Sequence, residues 1–347
     1  MLRVPSLKPF KNFSHLSAIM ISLGIESTAH TFGVGIVDEK GDILANEKDL
    51  YTTEEGGLIP FKLGEHHVNV CGAVLQKALD KANITLNEVD LISYSQSPGI
   101  GNALRVGCDM ARAMVILHKK PVVGVNHCVA HLEIGKLQTG MKDPVMLYAS
   151  GANTQIIALQ GGRYRVFGET IDGGIGNFLD SFARELGLGF PGGPKIEKLA
   201  LNGKNLIRLP YVVKGMDVSF GGLFTNLRQK IVSKKFSKED LSFSVQETVF
   251  AMLVEVSERA MAHCGKSELL LGGGVGCNKR LQEMCRIMCR ERGATCAVPE
   301  NQFLVDNGAM IAWLGRLEYK AQGNRGIPIK DVIIKPYLRT DEVDVMW

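Results

Sequence analysis

From Met20 onward, short apolar runs alternate with longer segments whose apolar residues recur at helical spacing. Ile21–Glu26 and Phe32–Val37 are two such runs, joined by the small polar turn Ser27–Thr31. A third, Ile43–Asn46, follows Gly41, so the chain opens with a three-stranded meander. Val68, Val70, Val74, Leu75 and Leu79 then mark an amphipathic helix over Glu65–Lys81. A strand at Leu91–Ser95 meets the turn SPGIGNALRVG and a helix reaching Leu117, and a strand at Pro121–Val125 leads into another helix.

The same layout then returns. Val145–Ser150 and Thr154–Leu159 flank the turn Ser150-Gly151-Ala152-Asn153, and Arg163–Gly168 follows as a third strand. The two hairpins stand roughly 125 residues apart, the mark of an internally duplicated α/β architecture. Helices over Phe178–Leu186 and Phe243–His263, a strand at Glu268–Gly272, a helix over Lys279–Glu291 and a last helix over Asp306–Gln322 complete the pattern. A duplication of this kind places a cleft between two lobes. Small-residue hairpin turns face one another across it and offer backbone N–H groups to phosphate, because no side chain blocks close approach. The pattern implies a phosphorylated or nucleotide ligand without naming one.

The chain has 347 residues, 45% of them hydrophobic and 22% charged, which excludes disorder and collagen-like repeats. Glycine, at 39 residues, is in excess of the usual share of about 7%, and many glycines follow apolar runs. The net charge of +4 is compatible with a nucleic-acid partner and does not require one. No apolar stretch reaches the roughly 18 residues that cross a bilayer. Eight cysteines without a CxxC pair fit free thiols in a reducing, cytoplasmic compartment. Cys285 and Cys289, one helical turn apart, either share a metal or line a buried apolar face. The first nineteen residues carry Arg3, Lys8 and Lys11 and no acid, as an organellar presequence or an over-long annotated start would; they stand outside the fold.

Five segments carry chemistry. In NHCVAH, His127 and His131 are four apart, so on a helix their imidazoles share a face and can bind one metal; the alternative is a cap and a buried core histidine. A zinc peptidase would need the glutamate of HExxH, and Cys128 stands there instead. MLYASGANTQ ends a strand at Tyr148 and exposes the amides of its turn. GETIDGGIGNFLD leads to GLGFPGGP and puts the helical Asp180 beside Gly192-Gly193, as a ribose site would. In LLLGGGVGCNKRL a buried strand runs into Gly272-Gly273-Gly274, with Asn278 at the start of a helix, an arrangement that admits an adenosine ring. Asp306 reads first as an N-cap, although a metal beside two histidines would also want an anionic oxygen.

GIESTAHTFGVGIV, GGLIPFKLGEHH, SPGIGNALRVG, NHCVAHLEIG, MLYASGANTQ, FLDSFARELGLGFPGGP, GGGVGCNKRL and DNGAMIAW stand in one order along residues 20 to 340. Together they resemble the universal tRNA threonylcarbamoyladenosine synthase family, earlier described as O-sialoglycoprotein endopeptidases. The ending KPYLRTDEVDVMW is similar to the archaeal and eukaryotic branch, the catalytic subunit of the KEOPS complex.

The resemblance implies the duplicated actin/Hsp70/sugar-kinase-like α/β fold, with residues 20–128 plus 305–340 as first lobe and 129–304 as second. Residues 1–19 and 341–347 are then tails. It implies that His127, His131, Tyr148 and Asp306 ligate one divalent metal ion, iron or zinc rather than magnesium. Tyr148, Ala149, Ser150, Gly151, Ala152, Asp180, Gly193, Glu197 and Asn278 match positions that hold threonylcarbamoyl-AMP. The implied reaction moves the threonylcarbamoyl group to N6 of the adenosine 3′ of the anticodon, in tRNAs reading codons that begin with A. The implied partners are tRNA, a small atypical kinase/ATPase and a small dimerising subunit, with no membrane. Lys214, Arg228, Lys230, Lys234, Lys235 and Lys238 form a cationic stretch that suits tRNA phosphates or merely a solvated face. Two segments depart from the family: Ile59 and Phe61 stand where a histidine and an arginine are common, and SFSGL reads Ser219-Phe220-Gly221-Gly222-Leu223. The competing function on the same superfold is an ATP-dependent kinase or ATPase, which has no use for a His-His-Tyr-Asp set. A non-catalytic scaffold would have no reason to keep all four.

Overall fold

The computed structural model describes residues 19–53 and 58–347, so the N-terminal tail apart from Ile19, and Gly56–Gly57 of the GGLIPFK segment, lie outside the described residues. The opening meander pairs β1 (Ile21–Glu26), β2 (Thr31–Asp38) and β3 (Ile43–Leu50) antiparallel. β3 continues past the expected Asn46 because β2 offers a ladder as far as Thr31↔Leu50, and backbone pairing outweighs the polar character of Glu47–Asp49. Helix α1 (Pro60–Ala82) likewise starts ahead of Glu65, with Pro60 in its first turn, where a missing N–H costs nothing. β4 (Leu91–Ser97), α2 (Gly101–His118) and β5 (Val122–Asn126) follow, and the sheet order is β3-β2-β1-β4-β5 with β1, β4 and β5 parallel.

After α3 (His127–Thr139) the plan repeats with β6 (Val145–Ala149), β7 (Thr154–Gln160) and β8 (Arg163–Glu169). Between β8 and the next strand of the sheet the chain inserts α4 (Ile175–Glu185), α5 (Gly193–Ala200), the small hairpin β9 (Val213–Lys214) and β10 (Asp217–Val218), α6 (Gly221–Ser233) and α7 (Lys238–Cys264). β11 (Glu268–Gly272), α8 (Lys279–Glu291) and β12 (Thr295–Ala297) complete a second sheet in the order β12-β11-β6-β7-β8. Read from the other edge, that is the topology of the first sheet. The short α9 (Asn301–Leu304) then leads to α10 (Gly308–Ala321).

Three apolar clusters hold this together. One packs α1 and α2 on the first sheet through Leu23, Ile25, Ile36, Val74 and Met114; another packs α7 and α8 on the second through Leu147, Val249, Leu253 and Leu281. The third joins the halves, with Val129 and Leu132 of α3 and Met310, Ile311 and Leu314 of α10 against Val125, Met146 and Leu270. Burying each such side chain contributes about 1.5–3 kcal/mol. Cys285 and Cys289 belong to the buried face of α8, the apolar alternative of the two sequence readings, and burial pushes the Cys285 thiol up to about 12.

α10 lies directly on strand backbone. A Cβ at Gly308 would stand 2.1 Å from Gly35 N, and one at Gly35 would stand 2.0 Å from Ala309 N, so no other residue fits either place. This contact fixes the segment just ahead of α10 beside the ends of β1 and β3. The N-cap of α10 is Asn307, whose Oδ1 accepts from Met310 N at 3.0 Å, and not Asp306 as the sequence suggested. Capping needs an extended residue immediately before the first helical one, and Asn serves as well as Asp. Asp306 is thereby released to face the cleft.

Candidate active site

α3 begins where β5 ends. Asn126 caps it, its side chain accepting from Cys128 N and Val129 N, and this cap sets His127 as the first helical residue. The i, i+4 spacing then stacks His131 beside it, with ring centroids 4.7 Å apart. Asp306 arrives from the far end of the chain: its Oδ1 lies 3.4 Å from His127 Nε2 and 3.3 Å from His131 Nε2. One donor atom from each of the three residues lies within 4.8 Å of the others, the sole such grouping of three among the described residues. The Tyr148 ring, at the end of β6, is 5.1 Å from that of His131 and 6.5 Å from that of His127. The structure thus brings His127, His131 and Asp306 together, with the Tyr148 ring beside them.

The electrostatics suit a cation there. Burial disfavours a charged His127, but the carboxylates of Glu26 and Asp306 outweigh it and hold the imidazole well above its ordinary pKa. Burial likewise opposes charge on Asp306, and the two histidines outweigh that and hold it well below the carboxylate range. His131 is lowered by burial, and Tyr148 is raised well above the phenol range by burial and by Cys128 beside it. Two imidazole nitrogens and a carboxylate oxygen, with a phenol oxygen at hand, form a donor set for a borderline ion such as iron or zinc. The residues fit the group.

Glu26 was not legible as a site residue. Fully buried at the end of β1, it accepts from Thr28 N (2.7 Å) and Thr28 Oγ1 (2.5 Å) through Oε1, and from His127 Nδ1 at 2.9 Å through Oε2. A hydrogen-bonded carboxylate behind a histidine sets which ring nitrogen is left free for a metal. The available signal was an acid closing an apolar strand, since glutamate is almost never fully buried unless paired. His30 and Lys48 were missed as well. His30 reaches over the cleft to Phe190, ring centroids 6.0 Å apart.

The residues that the resemblance matched to an adenylate lie on the end of β6, the β6–β7 turn, α4, α5 and the start of α8. In the Ser150–Asn153 turn, Ser150 N donates to Asn153 O (2.8 Å) and Asn153 N to Ser150 Oγ (3.2 Å), leaving Gly151 N and Ala152 N as the exposed amides. Gly174 and Gly176 let α4 press on this turn: a Cβ at Gly174 would stand 2.4 Å from Gly151 O. Asp180 Oδ1 accepts from Gly192 N at 2.7 Å; burial raises its carboxyl, a shift this bond opposes. Gly193 starts α5, and Glu197 Oε1 accepts from Lys279 N at 2.7 Å. Asn278 caps α8, accepting from Arg280 N and Leu281 N while its Nδ2 donates to Gln246, so its side chain shapes the pocket rather than standing free. Of the departures, Ile59 precedes α1 and Phe61 is 73% exposed on it. In the cationic stretch Arg228 pairs with Glu185, Lys238 donates to Leu186 O and Lys230 lies over Phe236, while Lys214, Lys234 and Lys235 are exposed.

Comparison with known proteins gives this geometry its family. The model of the family "tRNA N6-adenosine threonylcarbamoyltransferase" matches residues 42–313. A protein of that name from Thermococcus kodakarensis is 57% identical over 94% of this chain and 100% of its own length. One from Thermococcus gammatolerans is 56% identical with the same coverage. A "probable bifunctional tRNA threonylcarbamoyladenosine biosynthesis protein" from Methanothermobacter thermautotrophicus is 51% identical over 94% of this chain and 61% of its own. Among solved structures, T. kodakarensis HypF aligns at TM-score 0.62 and 14% identity over 89% of this chain and 48% of its own. Component A of the Acidaminococcus fermentans (R)-2-hydroxyglutaryl-CoA dehydratase aligns at 0.56 and 11% identity over 88% and 100%. These likenesses speak for the fold alone, the duplicated actin/Hsp70/sugar-kinase-like one. The chain belongs to the tRNA N6-adenosine threonylcarbamoyltransferase family of acyltransferases.

Proposed function

We propose that this chain transfers the threonylcarbamoyl group of threonylcarbamoyl-AMP to N6 of the adenosine 3′ of the anticodon, in tRNAs reading codons that begin with A. It works as the catalytic subunit of a KEOPS-like complex, with a small atypical kinase/ATPase and a small dimerising subunit, in the cytoplasm. The first lobe is 20–128 with 305–340 and the second is 129–304. The observation that carries this reading is the meeting of His127, His131 and Asp306 within 4.8 Å, from two distant parts of the chain, beside the glycine-bounded Ser150–Asn153 turn.

The donor is a mixed carbamic–phosphoric anhydride, already activated, so no protein nucleophile is required. The N6 amine attacks the carbamoyl carbon, a C–N bond forms, the C–O bond to phosphate breaks, AMP leaves and the amine loses one proton. Gly151 N and Ala152 N would donate to the phosphate, and Asp180, with one oxygen held by Gly192 N, would present the other to the ribose. Glu197 and Asn278 shape the nucleoside end. His127, His131, Tyr148 and Asp306 would hold one iron or zinc ion, which supplies Lewis acidity toward the donor's oxygens. With the ion bound, Glu26 would hold a proton on His127 Nδ1 and so leave the lone pair of Nε2, on the side of Asp306, for the ion.

The test is incubation of the purified chain and its partner subunits with tRNA, ATP, bicarbonate, threonine and an adenylate-forming enzyme. Mass spectrometry of the tRNA nucleosides should show threonylcarbamoyladenosine. Its absence, with phosphate transferred from ATP to an added acceptor by this chain alone, without the partner subunits, would establish the kinase alternative instead.

A further inference from the structure

Lys48 has no place in the sequence motifs, yet β3 carries it to the cleft. Strand alternation puts Glu47 and Asp49 on the face covered by α1, where Glu47 pairs with Lys81 and Asp49 with His66. Lys48 points to the opposite face, above the segment that leads into α10. Its Nζ makes one hydrogen bond among the described residues, to the backbone carbonyl of Asp306 at 3.4 Å, and no ion pair. The Asp306 carboxylate is taken up by the two histidines. On the side of the second lobe the ammonium's field reaches Cys277, in the glycine-rich turn before α8.

A half-buried ammonium has three donors, and one long bond to a carbonyl leaves most of its lost hydration unreplaced. The Asp306 carboxylate offsets part of that cost through its field, but burial outweighs it, the carboxylate is shared with two histidines, and the partial positive charge at the adjacent N-terminus of α10 adds nothing. A cation left in this state between two lobes is matched by an anion that enters the cleft.

We propose that Lys48 is a binding residue for the phosphate of the adenylate donor, reaching from the first lobe while the Gly151 and Ala152 amides reach from the second. This rests on the cleft being the adenylate site. The contact is distinct from the metal set, because it comes from β3 and uses a backbone atom of Asp306, not its carboxylate.

The experiment is calorimetric titration of the full chain with AMP and, separately, with adenosine, for wild type, Lys48→Met and Lys48→Arg, with melting curves for each. A charge-assisted bond to phosphate predicts that Lys48→Met weakens AMP about tenfold to a hundredfold and leaves adenosine unchanged. Lys48→Arg should recover most of the AMP affinity. Equal loss of AMP and adenosine, or a lowered melting temperature with the preference for AMP intact, would make Lys48 a strut between lobes and overturn the proposal. Wild-type preference for AMP that Lys48→Met leaves whole overturns it while sparing the adenylate reading. Wild type that binds neither nucleotide overturns both.

Discussion

Glu26→Gln should cost this protein metal while leaving its fold nearly untouched. The substitution is isosteric at a fully buried position. Oε1 of a glutamine can still accept from Thr28 N and Thr28 Oγ1, at the present 2.7 and 2.5 Å, so the local backbone keeps its partners. The other end of the side chain then becomes an NH2 group 2.9 Å from His127 Nδ1. Two donors cannot face one another, so Nδ1 must become the acceptor and the ring proton must move to Nε2. That is the nitrogen turned to Asp306 and to the metal position. A protonated Nε2 has no lone pair to give, so binding has to reverse the tautomer and leave a buried N–H opposite an NH2. The lost charge-assisted bond is worth about 1.5–3 kcal/mol, a fall in affinity of about tenfold to a hundredfold. Competition with a chromophoric chelator for zinc or ferrous iron measures it, alongside a melting curve of the metal-free protein. Metal affinity within twofold of wild type would refute the tautomer argument, and so would an equal loss in Glu26→Asp, which keeps the charge.

His131→Ala should abolish transfer and lower metal content with the fold intact; a core histidine would give the reverse, a lower melting temperature with activity per folded molecule retained. His67 is buried, and burial above all pushes its pKa down to about 4. The unfolded chain therefore takes up this proton first, and stability should fall between pH 6.5 and 4 by at most about 3 kcal/mol. Denaturant titrations should show that loss, and His67→Gln, which can still donate to Ala29 O, should flatten it. Gly308→Val should destabilise by more than about 3 kcal/mol, because the added carbons meet the backbone of Val34 and Gly35, which cannot yield; a denaturation midpoint near wild type would contradict the close contact. The isolated chain should modify tRNA poorly and recover with its partner subunits, and full activity alone would sink the dependence on them.

Much of this protein is local and was therefore readable. Each hairpin needs only alternation and a small-residue turn, so the meander at Ile21–Asn46 and its echo at Val145–Gly168 announced the duplication, and both sheets carry it. The HxxxH pair is local too, since one helix dictates that its rings meet. The strand and helix ends were less legible: Glu47–Leu50 look polar and extend only because β2 pairs with them. Asp306 looked like a cap because sequence cannot choose between adjacent Asp and Asn, and the packing of Gly308 on Gly35 made the choice. What tertiary structure alone decided was which distant charges face one another. Glu26 stands 101 residues from the histidine it holds, and Lys48 stands 258 residues from the carbonyl it touches. A charge on a strand shows no partner in its own neighbourhood of the chain, because Coulomb energy depends on distance in space, and only the packing of β1 and β3 against α3 and the segment ahead of α10 sets that distance.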